Sequence, residues 1–76
     1  MTIKIYSTPN CAYCKMAKEF FTENNLKFED YNVLEDERAR GEMYEKSEQM
    51  GVPVIDVDGE IYVGFNRTIL KQELKL

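Results

Sequence analysis

Two cysteines, Cys11 and Cys14, stand two residues apart and are the only cysteines in a chain of 76 residues. At this spacing two thiols can close a disulfide within one turn of a helix. So small a loop stabilises a fold by about 2 kcal/mol in the chain-entropy model, against about 3 kcal/mol for a loop of roughly 15 residues. The pair therefore suits a reversible redox reaction better than a structural cross-link.

Two other uses of the cysteines remain as alternatives. A structural zinc site takes about four ligands, usually Cys and His. Because the chain has no histidine, carboxylates or a second chain would have to complete such a site. Two buried, inert cysteines are also compatible with this spacing at a helix start. The surrounding sequence favours the redox interpretation over both.

Length and charge narrow the class of protein. Of the 76 residues, 43% are hydrophobic and 32% are charged, a composition that suits one small globular domain. Fourteen acidic residues against ten basic ones give a net charge of −4, which argues against a nucleic-acid partner because phosphate binding needs a basic face. No apolar run approaches the roughly 20 residues that span a bilayer, and the start lacks a signal-peptide pattern. We expect a cytoplasmic protein without membrane contact.

The first half of the chain reads as strand, helix and strand. Thr2 to Ser7 alternates apolar and polar residues, which is typical of a strand. Cys11 to Asn24 is predicted to be helical and Lys27 to Val33 to be the second strand. The apolar residues at helical spacing are Tyr13, Ala17, Phe20 and Phe21.

The second half reads as helix, two strands and helix. Asp58-Gly59 between two short apolar segments is a strong signal for a two-residue hairpin, and Asn66 suits the cap of a last helix. The predicted segments are a helix from Glu35 to about Met50, strands Val54 to Val57 and Glu60 to Val63, and a short helix after Asn66. The residues predicted to face inward in the first of these helices are Ala39, Met43 and Tyr44, and the second carries the apolar residues Ile69, Leu70 and Leu74.

The resulting order is β-α-β-α-β-β-α. A strand–helix–strand opening predicts two parallel strands joined by a right-handed crossover, and the closing hairpin adds antiparallel strands. We therefore predict an α/β fold in which a four-stranded mixed sheet is flanked by three helices, with residues 1–76 forming a single domain.

The position of the cysteines predicts a division of labour between them. The thiolate is the nucleophile in thiol–disulfide exchange. At a helix start, unpaired N–H groups and the positive end of the helix dipole lower the pKa of a thiol, and Lys15 and Lys18 add positive charge nearby. Cys11 is therefore predicted to attack, and Cys14, inside the first turn, to resolve the mixed disulfide.

Three segments together resemble the glutaredoxin-type proteins of the thioredoxin superfamily. They are Ile5-Tyr6-Ser7-Thr8-Pro9-Asn10-Cys11-Ala12-Tyr13-Cys14, Gly51-Val52-Pro53-Val54-Ile55 and Gly64-Phe65-Asn66. The resemblance covers essentially the whole chain and agrees with the order of elements. It implies a thioredoxin-like fold and a dithiol thiol–disulfide oxidoreductase.

The resemblance also implies that the Val52–Pro53 peptide bond is cis and lies beside the Cys11 sulfur. In this superfamily the residue before that proline offers its backbone N–H and C=O to the substrate, which pairs like an added strand. Taken without the cysteines, Gly51-Val52-Pro53 would be read as a helix stop ahead of a strand.

The expected glutathione contacts depart from the family pattern at several positions. Thr8 stands where a basic residue is usual, Ala12 replaces a proline between the cysteines, and Val63-Gly64-Phe65-Asn66-Arg67 replaces a Gly-Gly-x-Asp turn. Tyr6 is left open as either site wall or core. The residues that the resemblance assigns to substrate or glutathione binding are Thr8, Tyr13, Gln49, Val52, Pro53, Gly64, Phe65, Asn66 and Arg67.

The resemblance therefore predicts a monomeric enzyme that reduces protein disulfides and glutathione mixed disulfides. Glutathione is expected as co-substrate, with no tightly bound cofactor and no metal. One alternative is a small redoxin that thioredoxin reductase reduces and that serves ribonucleotide reductase. Others are a module in which two chains and two glutathiones hold an iron–sulfur cluster, and a redox-inert domain that binds partners.

Overall fold

The computed structural model describes residues 1–76, and its elements follow the predicted order. The strands are β1 (Ile3–Ser7), β2 (Glu29–Asn32), β3 (Val54–Val57) and β4 (Glu60–Val63), and the helices are α1 (Ala12–Glu23), α2 (Glu37–Ser47) and α3 (Arg67–Glu73). None of these helices has the length and apolar character that crossing a bilayer would require.

The strands form one sheet in the order β2-β1-β3-β4. β1 pairs in parallel with β2 and antiparallel with β3, and β4 forms the hairpin with β3, which confirms the predicted mixed sheet. Tyr6 stands opposite Val54 in the register of β1 and β3. The end of β1 therefore meets the beginning of β3, and the loops next to these two ends lie at the same edge of the sheet.

Helices cover both faces of the sheet, which is why the central strand β1 is almost entirely buried. Successive side chains of a strand point to opposite faces. Ile3 and Ile5 accordingly pack with α1 and α3, whereas Tyr6 packs with α2. One core cluster consists of Ile3, Ile5, Ala17, Phe20, Phe21, Ile55, Val57 and Leu70, and the other of Tyr6, Val33, Ala39, Met43 and Val54.

Two elements are shorter than predicted. α2 begins after Asp36, whose Oδ1 accepts a hydrogen bond from Ala39 N–H at 3.0 Å, and ends at Glu48, where φ is 57°. These caps shorten the helix predicted from Glu35 to about Met50. The strand predicted from Lys27 to Val33 is reduced to β2, since only its four residues pair with β1.

Tyr44, which was predicted to face inward, is 53% exposed. Tyr13 and Ile69, apolar residues at helical spacing, are also exposed, by 61% and 44%. Tyr13 lies in the first turn of α1, on the side of the helix away from the buried Cys14. Tyr44 follows the buried Met43, and Ile69 precedes the buried Leu70. A step of one residue turns a side chain by about 100° around a helix, which is enough to direct both to solvent.

The predicted hairpin is confirmed. Asp58 and Gly59 have φ of 50° and 95°, the two positive values that a type I′ turn requires. Asp58 Oδ1 accepts a hydrogen bond from Thr2 N–H at 2.7 Å, and Gly59 N–H donates to Asp56 Oδ1 at 2.8 Å. The turn is therefore attached to the start of the chain.

A polar network joins α2 to the sheet. Lys46 Nζ lies 2.7 Å from Asp56 Oδ2 and donates to Tyr6 Oη at 2.8 Å, and Tyr6 Oη donates to Glu42 Oε1 at 3.1 Å. Burial raises the pKa of Asp56, but hydrogen bonds from Lys46 and the Gly59 N–H outweigh it and hold that pKa below its ordinary value. Burial lowers the pKa of Lys46, and its bonds to Asp56 and Tyr6 outweigh that effect and raise it.

Replacing Asp56 tests this network. We expect Asp56→Asn to lower the free energy of unfolding at neutral pH by about 1–3 kcal/mol, because Lys46 loses its ionic partner. Since the folded pKa lies below the unfolded value, the wild-type contribution is present above about pH 4 and is lost as pH falls through the folded pKa. Urea unfolding at several pH values should show the two proteins converging in acid.

The control is Glu45→Gln, which changes an exposed carboxylate on α2, the helix that carries Lys46. It should leave the free energy of unfolding unchanged. A difference between Asp56→Asn and wild type that stays constant down to strongly acidic pH would contradict the ionic role of Asp56.

Candidate active site

The two cysteines lie at the N-terminus of α1. Cys11 is the N-cap residue, Cys14 lies in the first turn, and their sulfurs form a disulfide. Cys14 N–H donates to Cys11 Sγ at 3.1 Å, so the sulfur occupies the acceptor position that a side-chain oxygen fills in other N-caps. Cys14 is fully buried, whereas Cys11 is half-buried. The helix thus directs its positive end toward the more accessible sulfur.

The loop before β3 lies against this sulfur. The Val52–Pro53 peptide bond is cis, as predicted, and Cys11 Sγ is 4.0 Å from Val52 O. Gly64 N–H donates to Pro53 O at 2.8 Å, whereas neither the N–H nor the C=O of Val52 is bonded to another backbone group. The backbone of Val52 is therefore free to pair with an extended segment placed beside the disulfide.

Lys18, which was expected to add positive charge near the cysteines, forms an ion pair with Asp30. Its Nζ lies 2.7 Å from Asp30 Oδ2, and Asp30 Oδ1 accepts a hydrogen bond from Ser7 Oγ at 2.7 Å. This ion pair joins α1 to β2, so the expectation that Lys18 supports the thiolate is corrected. Lys15 forms no ion pair and remains as the basic side chain one turn after Cys11.

Two tyrosines near the cysteines have different surroundings. Tyr6 is completely buried in the core cluster under α2, so it belongs to the core and not to a site wall. Tyr13, between the cysteines, is exposed and contributes an accessible aromatic surface next to Cys11.

The turn after β4 was expected to contact glutathione. The side chains of Phe65 and Asn66 in this turn make contacts within the protein instead. Phe65 packs against Phe20 with ring centres 5.7 Å apart. Asn66 Oδ1 accepts a hydrogen bond from Ile69 N–H at 3.1 Å as the N-cap of α3. Gly64 adopts φ of 83°, a conformation that favours glycine. The side chain of Asn66 is therefore committed to capping its own helix.

Arg67 and Gln49 are likewise engaged within the protein. Arg67 lies 3.8 Å from Glu23, at the far end of α1, and 12 helical residues place that end about 18 Å from Cys11. The amide of Gln49 is hydrogen bonded to the backbone of Gly51. Thr8, half-buried in the loop before the cysteines, brings no charge. The structure thus places Val52 beside the disulfide, with Gly64 hydrogen bonded to the neighbouring Pro53 and with Tyr13 exposed between the cysteines.

Sequence reasoning missed two sets of contacts near the site. The Ser7–Asp30–Lys18 group joins residues far apart in the chain, so no local pattern indicates it. The Gln49–Gly51 contact is local, and the short spacing of an amide side chain and a glycine before Val52 was its signal. No group of three or more His, Cys, Asp or Glu side chains is arranged so that it could hold a metal ion.

Comparison with known proteins identifies the family. The family model described as Glutaredoxin matches residues 3–62, which include the cysteine pair and the Val52–Pro53 loop. The chain belongs to the glutaredoxin family. It is a glutaredoxin-like thiol oxidoreductase with a thioredoxin-like fold, and proteins of this family need no tightly bound cofactor.

Relatives agree with this assignment. A protein of Clostridium pasteurianum, named an uncharacterized glutaredoxin-like 8.6 kDa protein in the rubredoxin operon, is 54% identical over 65 residues, covering 86% of this chain and 87% of its own. The glutaredoxin-like protein NrdH of Lactococcus lactis is 36% identical over 66 residues, covering 83% and 86%.

Solved structures agree on the fold. A mutant of the thioredoxin-like protein BC3987 superposes with a TM-score of 0.89 at 33% identity, over 96% of this chain and 94% of its own. The NrdH-redoxin of Escherichia coli superposes with a TM-score of 0.83 at 22% identity, over 95% and 93%, and at that identity it supports the fold alone.

The geometry of the pair predicts unequal reactivity of the two thiols. In reduced protein we expect Cys11 to have a pKa below about 8.5, the ordinary value for a thiol, because the Cys14 N–H and the helix dipole stabilise its thiolate. The pH dependence of alkylation by iodoacetamide, measured on Cys14→Ser, gives this pKa. Alkylation of Cys11→Ser should be much slower, since Cys14 is buried. A Cys11 pKa at or above the ordinary value would contradict the assignment.

Proposed function

We propose that residues 1–76 act as one glutaredoxin domain. It reduces disulfides within proteins and mixed disulfides between a protein and glutathione. The placement of half-buried Cys11, with its Sγ 4.0 Å from Val52 O and Cys14 buried behind it, carries this proposal. The pair can attack from one side while the free Val52 backbone holds the substrate.

The reaction proceeds by two exchanges. The Cys11 thiolate attacks one sulfur of the client disulfide, which breaks the client S–S bond, forms a mixed disulfide and releases the other client sulfur as a thiolate that takes up a proton. Cys14 then loses its proton and attacks Cys11 Sγ, forming the Cys11–Cys14 disulfide and releasing the second client thiol. Two electrons pass from the pair to the client, and glutathione can replace Cys14 in the second step when the client is a glutathione mixed disulfide.

Replacing the resolving cysteine separates these two reactions. Cys14→Ser should keep activity on glutathione mixed disulfides, because one attacking thiolate is enough and free glutathione releases it. It should lose most of its activity on intramolecular protein disulfides, which require a resolving thiol in the same molecule. Both activities can be measured by product release, with Cys11→Ser as the inactive control. Equal losses in the two assays would show that Cys14 has another role.

Glutathione and thioredoxin reductase are the two candidate electron donors. The family resemblance supports glutathione. Three features favour thioredoxin reductase: Thr8 carries no charge, Asn66 caps its own helix, and Arg67 pairs with Glu23. A relative named NrdH, at 36% identity, supports the same candidate. A redoxin reduced in this way would serve ribonucleotide reductase or other protein clients.

Offering oxidised protein both donors in parallel distinguishes the candidates. We expect thioredoxin reductase with NADPH to reduce it faster than glutathione with glutathione reductase. Thr8→Lys should lower the apparent KM for glutathione severalfold, because one surface ion pair is worth up to about 1 kcal/mol. The matched control is Thr8→Gln, which adds length without charge. Faster reduction by glutathione in wild type would reverse the assignment of the donor.

Reduction of clients requires a reducing compartment, so we place the protein in the cytoplasm, as a monomer whose partners are disulfide-containing proteins.

A brown protein after anaerobic purification would instead support the iron–sulfur module, and a Cys11 no more reactive than an ordinary thiol would support the redox-inert domain.

A further inference from the structure

The four residues between α2 and Val52 make a sharp change of direction. Glu48 leaves the helix with φ of 57°, and its N–H donates to Tyr44 O at 2.7 Å. The chain then has Gln49, Met50 and Gly51 in which to reach the docking residue. These residues belong to no helix or strand, so side-chain contacts must hold them.

The amide of Gln49 supplies those contacts. Its Oε1 accepts a hydrogen bond from Gly51 N–H at 2.6 Å, and its Nε2 donates to Gly51 O at 3.0 Å. Nε2 also donates to Ser47 Oγ at 3.2 Å, and that hydroxyl donates to Met43 O at 2.6 Å. The side chain pairs with both backbone groups of Gly51, as a neighbouring strand would, and connects them to the last turn of α2.

The absence of a side chain at Gly51 leaves room for the Gln49 amide. A Cβ placed on Gly51 would lie 2.8 Å from Gln49 Oε1, so this end of the flexible glutamine side chain would have to move away. The φ of Gly51 is not positive, so the backbone itself does not require glycine. The missing side chain therefore serves the approach of the Gln49 amide, and an alanine at this position would displace it.

Both sides of the Val52 backbone are thereby held. Gln49 holds the preceding residue Gly51, and Gly64 N–H holds the following residue Pro53 at 2.8 Å. Val52 itself keeps its N–H and C=O free, with its O 4.0 Å from Cys11 Sγ. A docking segment that is already ordered avoids the entropy cost of ordering when substrate binds.

We propose that Gln49 is a positioning residue for substrate docking: its amide orients Gly51 so that Val52 presents its backbone to a disulfide substrate beside Cys11. The inference rests on the proposed function, in which Val52 is the docking residue. It replaces the expectation that Gln49 contacts glutathione directly.

The test uses Gln49→Leu, Gly51→Ala and the double variant, with Gln72→Leu as a control at an exposed glutamine on α3. Each protein is reduced with dithiothreitol, freed of it and mixed with insulin as the protein-disulfide probe, so that the result does not depend on the natural electron donor. Single-turnover rates against insulin concentration give a half-saturating concentration and a maximal rate. Alkylation by iodoacetamide, which needs no docking, reports on Cys11 alone.

We expect Gln49→Leu to raise the half-saturating concentration about threefold to tenfold, which corresponds to one or two lost hydrogen bonds, with Cys11 alkylation unchanged. Gly51→Ala should have the same effect. The double variant should be no worse than either single one, because all three variants lose the same contact between Gln49 and Gly51. Gly51 amide exchange should accelerate in Gln49→Leu, and Gln72→Leu should match wild type throughout.

An unchanged half-saturating concentration in Gln49→Leu would overturn the proposal, as would a double variant whose effect is the product of the two single effects. A slower alkylation of Cys11 would overturn it too, because Gln49 would then act on the thiol. A wild type that reduces insulin no faster than a Cys11→Ser variant would instead refute the proposed function, and the positioning role with it.

Discussion

The antiparallel register of β1 and β3 is the constraint on which the site depends. Tyr6 opposite Val54 brings the end of one strand to the beginning of the other. The chain leaves β1 toward the cysteines and enters β3 from Pro53, so the N-terminus of α1 and the loop that contains Val52 meet at one edge. A shift of one residue would direct the alternate side chains of β3 to the wrong face and would separate Cys11 from Val52 at the same time. Core packing therefore determines the geometry of the site.

The positive potential at Cys11 comes from backbone groups and from Lys15, the nearby basic side chain that forms no ion pair. The Cys14 N–H and the helix end face Cys11, while Lys18 is neutralised by Asp30 and Arg67 pairs with Glu23. A site of this kind recognises a substrate through its peptide groups and apolar surface. The free backbone of Val52 and the exposed side chain of Tyr13 are the groups that this site offers to a substrate.

Most of the fold follows from local patterns, because alternation, helical spacing and the Asp58-Gly59 turn act over a few residues. The cysteine pair and the cis proline were likewise identifiable from short motifs. The prediction of burial failed at Tyr44, which is exposed although its neighbour Met43 is buried. The partners of Lys18 and Arg67 were also beyond prediction, since long flexible side chains choose among distant carboxylates only after the sheet has formed. Spacing reveals which residues share a helix face, and tertiary packing decides where their charged ends go.

Two consecutive residues at the end of α2 connect stability to the site. Lys46 binds Asp56 on β3, and Ser47 accepts a hydrogen bond from Gln49, which holds Gly51. The contacts close a ring that runs from α2 through Asp56 along β3 to Pro53 and Val52, and back through Gly51 and Gln49 to α2. In a closed ring, the position of Val52 is determined from two directions and does not depend on the stiffness of the linking segment. Contacts with both α2 and the sheet therefore fix the loop that contains Val52, although it has no regular secondary structure.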